Sequence, residues 1–134
     1  MAELVAAVVQ MRSTTKPEDN IASLEALVGQ AAAQGAVYVQ TPEMTGAICR
    51  DREALLASLR SAADDPVVAA ASELARRHGI YLHIGSTAIA APGGMAANRA
   101  FLFGPDGNQV ETYDKIHMFD VDLDNGESSV SYTH

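Results

Sequence analysis

Two short segments hold the residues of this 134-residue chain best suited to chemistry. Thr41-Pro42-Glu43-Met44-Thr45-Gly46 sets a carboxylate just after an apolar run, and Tyr113-Asp114-Lys115-Ile116-His117-Met118-Phe119-Asp120 sets a lysine between an acid and apolar neighbours. A carboxylate can take and return a proton, and an ammonium can hold the negative charge that develops on an attacked carbonyl or nitrile. Those are two of the three groups needed to hydrolyse an amide or nitrile with a thiol; the third is the thiol itself. Only two of the nine basic residues are lysines, Lys16 and Lys115, so a lysine in such a setting stands out from the arginines used elsewhere. Taken singly, a Pro-Glu pair after a strand or a lysine after a hairpin reads as solvated surface. Together the two segments form a pattern.

The elements that must position them can be read from periodicity. Leu4 to Val9 is a continuous apolar run rich in β-branched residues, as in a strand covered on both faces. Pro17 suits the first turn of a helix whose apolar positions Ile21, Leu24, Val28 and Ala31 recur at three- and four-residue steps up to Gly35. Ala36 to Gln40 reads as a second strand, reached through a helical crossover and therefore parallel to the first, with Glu43 following its end. Arg52 to Arg60 has helical composition, and Asp65-Pro66 opens a clearer helix that stops at Gly79. Ile80 to Gly85 alternates as a third strand. Pro92-Gly93-Gly94 turns the chain, Arg99 to Phe103 and Gln109 to Tyr113 form strands around the hairpin turn Pro105-Asp106-Gly107-Asn108, and the acidic, polar stretch after Lys115 reads as a loop. The fold class is α/β with a mixed sheet.

The order of these motifs, a Glu just after a short apolar strand and a Lys after a strand pair, resembles the nitrilase (carbon-nitrogen hydrolase) superfamily, in the branch of the omega-amidases and deaminated-glutathione amidases. The resemblance implies general-base catalysis by Glu43, which later activates the hydrolytic water, and stabilisation of the tetrahedral intermediate by Lys115. It implies a small linear amide as substrate, no cofactor and no metal. It also implies an α-β-β-α sandwich about twice this length, with residues 1–134 as a single domain carrying its N-terminal half and helices on one face of the sheet. The superfamily's nucleophilic Cys lies further along the chain than His134. The sole thiol here, Cys49, lies between Glu43 and Arg50-Asp51 without an elbow-like turn, and is not taken as the nucleophile. Gly126-Glu127-Ser128 resembles a segment that precedes a second acidic residue in many relatives, but Ser131 stands about where that acid is expected. Glu127 is the available substitute, though a solvated loop carboxylate explains it better. His78, His83 and His117 read as structural residues because none has a second ligand at useful spacing.

Composition narrows the alternatives. With 48% hydrophobic and 19% charged residues, the chain is long enough to bury roughly two-thirds of its unfolded surface. A net charge of −8 argues against nucleic acid as a partner, and no apolar run approaches the ~18 residues of a membrane span. One cysteine excludes an internal disulfide framework, and Met1-Ala2-Glu3 lacks the basic start of a secretion signal, so a cytoplasmic setting is expected. A half-sandwich predicts an open apolar sheet face and unpaired strand edges, hence a homo-oligomer. Without the thiol the chain is expected to be inactive; a non-catalytic oligomerising or regulatory subunit is the second reading. A nucleotide-binding module is disfavoured, since no Gly-rich loop follows the first strand.

Overall fold

A computed structural model describes residues 3–115 in full and, beyond them, the backbone of the strands His117–Asp122 and Ser128–Thr133. Two parallel crossovers are followed by an antiparallel meander. Strand β1 (Ala6–Val8) leads through helix α1 (Pro17–Ala33) to β2 (Tyr38–Gln40), and helices α2 (Arg52–Ser58) and α3 (Pro66–His78) lead to β3 (Tyr81–Ala91). A tight turn over Pro92–Gly94 then joins β3 to β4 (Met95–Phe103), which pairs with β5 (Gln109–Asp114). The five strands lie in sequence order, with β1, β2 and β3 parallel and β3, β4 and β5 antiparallel, which is the mixed sheet expected.

Helix ends follow local chemistry. Pro17 opens α1 with Glu18 and Asp19 in its first turn, where negative charge meets the positive end of the helix dipole. Asp65 caps α3 by accepting from the Val67 and Val68 amides at 2.8 and 3.0 Å. The same helix ends on Arg76, Arg77 and His78 and a left-handed Gly79, so charge and capping agree at both ends. Leu24, Val28 and Ala31 of α1 and Ala71, Leu74 and Ala75 of α3 pack with Val39, Leu82, Ile84, Phe101 and Phe103 of the sheet. The rings of Phe101 and Phe103, two residues apart and therefore on one face, stack at 5.9 Å.

The opposite face is open. Across it the register aligns Val8, Gln40, His83, Leu102 and Glu111, with Tyr38 and Tyr81 in the next row and Tyr113 opposite Ala100. Val8 is 81% exposed although both its neighbours point toward the core, so β1 is covered on one face only and not on both as its continuous apolar run suggests, which marks a sheet with helices on one side.

Two further expectations need correction. The β3–β4 hairpin runs well past Gly85 and begins its return at Met95 rather than Arg99. Half of the added residues are alanines, poor strand formers that are extended because each has a cross-strand partner, from Ala88 with Asn98 to Ala91 with Met95. The stretch after Lys115 is also not a loop: β6 (His117–Asp122) and β7 (Ser128–Thr133) pair antiparallel as a separate two-stranded sheet. Phe119, Val121, Val130, Tyr132 and Thr133 are strand-forming residue types whose alternation was masked by the acids and serines between them. Glu127 and the Gly126–Glu127 pair lie outside the described residues, as do the side chains of His117 and Ser131.

Candidate functional site

Glu43 stands in the turn that leaves the carboxyl end of β2, the edge at which open α/β sheets bind ligands. A hydrogen-bond relay wraps its base. The Gly85 amide donates to the Thr41 hydroxyl (3.2 Å), which lies 2.8 Å from the Thr45 hydroxyl, which in turn donates to the Pro42 carbonyl (2.7 Å). The Met44 amide donates to the Ser86 hydroxyl at 3.0 Å and the Thr45 amide to the Ser86 carbonyl at 2.9 Å. Met44 itself sits at φ 53°, a left-handed conformation rare for a residue with a side chain, so the surrounding bonds hold a turn that the residue would not choose.

Two glycines allow the turn to lie this close. A Cβ on Gly85 would fall 2.4 Å from the Thr41 carbonyl oxygen, and one on Gly46 would fall 2.2 Å from the Thr87 hydroxyl. Asn20, buried on α1, ties the far side down by donating to the Gly46 carbonyl (2.8 Å) and accepting from the Thr14 amide (2.8 Å).

Lys115 arrives from the other end of the sheet, one residue past β5. Its amide donates to the Asn98 carbonyl at 3.0 Å, extending the β4–β5 ladder by one rung. Its ammonium pairs with a Glu43 carboxylate oxygen, a contact between residues 72 apart in sequence. The Lys115 side chain is only 3% exposed whereas that of Glu43 is 55% exposed. Burial pushes the Lys115 ammonium below the usual lysine range, since the charged form loses its water. Just before it, Arg99 grips Asp114 through two hydrogen bonds of 2.5 and 2.9 Å.

Glu43 and Lys115 face a cleft of about 540 Å³ whose wall includes Gln40, His83, Gly85, Ala100 and Tyr113. The structure therefore brings the two sequence-predicted residues together and adds His83, read from sequence as a strand residue only. Its Nδ1 lies 2.7 Å from the Tyr38 hydroxyl. Burial lowers the His83 pKa and raises that of Tyr38, so this pair is neutral at neutral pH. No sequence signal links residues 38 and 83; the link is the β2–β3 register, which sets Tyr38 and His83 two residues apart on one face. Cys49 does not line the cleft; its sulfur rests 3.9 Å from the Ser58 hydroxyl at the end of α2. Among the described residues no cluster of His, Cys, Asp or Glu is arranged to hold a metal ion, and no helix is long and apolar enough to cross a membrane.

Comparison with known proteins bears on this arrangement. A family model described as carbon-nitrogen hydrolase matches residues 5–133. An omega-amidase from Danio rerio is 33% identical over 129 residues, covering 92% of this chain and 43% of that protein. A deaminated glutathione amidase from Yersinia enterocolitica is 33% identical over 127 residues, covering 87% of this chain and 41% of that protein. The chain thus spans less than half the length of these curated relatives. Among solved structures, the NitFhit protein of C. elegans superimposes with a TM-score of 0.77 at 26% identity, over 88% of this chain and 29% of that one. A carbon-nitrogen hydrolase superfamily protein from Xanthomonas campestris does so with a TM-score of 0.75 at 27% identity, over 89% of this chain and 43% of that one.

Proposed function

This chain belongs to the carbon-nitrogen hydrolase family, and on that premise we propose that Glu43 and Lys115 are the general base and the oxyanion-stabilising cation of an amidase acting on a small linear amide. The observation that carries the reading is the contact between a buried ammonium and a half-exposed carboxylate at the mouth of a cleft. Glu43 accepts the proton of a thiol, and the thiolate attacks the amide carbon. Charge moves onto the carbonyl oxygen, where the buried Lys115 ammonium neutralises it. Collapse of the intermediate breaks the carbon–nitrogen bond; protonated Glu43 gives its proton to the departing nitrogen, which leaves as ammonia. Glu43 then takes a proton from water as the water attacks the thioester, and the acid and the thiol are released.

Cys49 lies off the cleft, which supports the reading that it is not this thiol, and no turnover is expected from these 134 residues alone. The names of its relatives, an omega-amidase and a deaminated glutathione amidase, support an ω-amide or a deaminated-peptide amide as the substrate class.

Two measurements test this. In an NMR titration with a short dicarboxylic monoamide, the amide resonances of residues 41–46 and of Lys115 should shift, and Lys115→Met should abolish the response. Ammonia release by the chain should not exceed that of Glu43→Ala; release that disappears in Cys49→Ala would place the nucleophile at Cys49 and overturn the assignment.

A further inference from the structure

Asn98 holds the one buried side-chain oxygen or nitrogen among the described residues that has no hydrogen-bond partner, its Oδ1. The residue is 2% exposed, so water does not relieve that oxygen. It stands directly across from Lys115: Arg99 pairs with Asp114 and Ala100 with Tyr113, and the Lys115 amide bonds to the Asn98 carbonyl in the next rung. Residues directly opposite share a face. That face is the cleft side, because Ala100 and Tyr113, two pairs before and so on the same face, line the cleft. A buried acceptor lacking a donor therefore stands on the strand position opposite Lys115, whose ammonium has three N–H groups and, among the described residues, the Glu43 carboxylate as its acceptor.

The proposed reaction gives this juxtaposition a use. Each time Glu43 takes a proton it becomes neutral and its attraction for Lys115 falls away. A lysine side chain 3% exposed would then be left buried without a counter-charge, at the moment when it must stay charged and aimed at the carbonyl oxygen. We propose that Asn98 is a positioning residue for Lys115, its side-chain carbonyl accepting one ammonium N–H while Glu43 is protonated and leaving the others for the substrate oxygen. The proposal rests on the roles assigned to Glu43 and Lys115, but its structural core, an Asn98–Lys115 hydrogen bond formed when Glu43 is neutral, can be read without any turnover. Among the described residues, the other charged or titratable groups near Lys115 are Glu43, His83 and Tyr113 around the cleft and the Arg99–Asp114 pair beside it.

The chain has only two lysines, so selective labelling of lysine side chains in the full 134-residue protein gives two resonances, assigned with Lys16→Arg. Glu43→Gln imitates the protonated base. In that background Asn98→Leu, which keeps the shape and removes the acceptor, should lower the Lys115 titration by about one pH unit, and Asn98→Asp should raise it by at least as much, with Lys16 unmoved in both. In wild-type Glu43 the Asn98→Leu effect should be smaller, because the carboxylate is then the chief partner. Should Asn98→Leu not fold, Asn98→Asp decides alone. The Asn98 side-chain carbonyl resonance of the Asn98-containing Glu43→Gln protein is a third readout and should follow the Lys115 titration. Lys115 titrating alike in the Asn98 variants and their parent, or an Asn98 carbonyl that ignores Lys115, overturns the proposal. Because no readout depends on ammonia release, failure of this proposal and failure of the amidase reading are separable.

Discussion

Glu43 and Lys115 meet in one cleft but are held there by opposite means. The Glu43 turn is fixed by backbone geometry: a relay through Thr41 and Thr45, two bonds to Ser86, Asn20 behind Gly46, and two glycines that let main chains lie against each other. Lys115 has one main-chain bond at the end of a ladder, then reach, burial and charge. The base is thus placed by the fold, whereas the cation is placed by its partners. A carboxylate that shuttles protons benefits from a fixed position as its charge comes and goes, and a cation that follows a developing charge benefits from a long, adjustable stem.

The difference can be broken at its strongest point first. Gly85→Ala forces a methyl against the Thr41 carbonyl, which is backbone and cannot swing aside; about 3 kcal/mol of stability should be lost in urea unfolding, with the resonances of the Glu43 turn displaced. A cost under about 1 kcal/mol would mean that the turn is softer than its bonds indicate.

The next test acts on charge. Because burial depresses the Lys115 pKa in the folded state, the unfolded chain binds more protons between that depressed value and the ordinary 10.5. Stability should therefore rise with pH across this window, and Lys115→Met should remove that rise while costing little at its upper end. Tyr38 opposes it above about pH 10, since its raised pKa makes the folded state retain a proton, so the comparison is cleanest in a Tyr38→Phe background. An unchanged slope in Lys115→Met would show that the ammonium is not desolvated as described.

The smallest effect is expected at the Arg99–Asp114 clamp. Both partners are partly exposed, so Asp114→Asn should change stability by no more than about 0.5 kcal/mol, and less at high salt. Its value is as a probe: a larger loss of order at Lys115 than at Glu43 would confirm that the cation's approach is the less constrained of the two.

The same contrast describes what could be read in the residues. The Glu43 turn, the crossover helix α1 and the capped helix α3 each carry a local signature, in Pro17, Asp65-Pro66, Gly79 and the apolar spacing, and local chemistry is sufficient to place them. Lys115 was recognisable from its neighbours. Its opposition to Asn98 was not, nor was the bond from Tyr38 to His83, because cross-strand register is a property of the assembled sheet. The alanine-rich extension of β3 and β4 and the β6–β7 hairpin were missed for the same reason: their residues are extended through partners rather than through propensity.

The open sheet face also has an optical consequence. The chain contains no tryptophan and four tyrosines, and three of these, Tyr38, Tyr81 and Tyr113, sit on the face without helices. Tyr38 is already bonded to an imidazole, whereas Tyr81 and Tyr113 are about half exposed. The ultraviolet emission of the protein is therefore weighted toward one side of one sheet. Any molecule, added segment or second copy that settles on that side changes the signal without a label, and one that settles on the helices leaves it nearly unchanged.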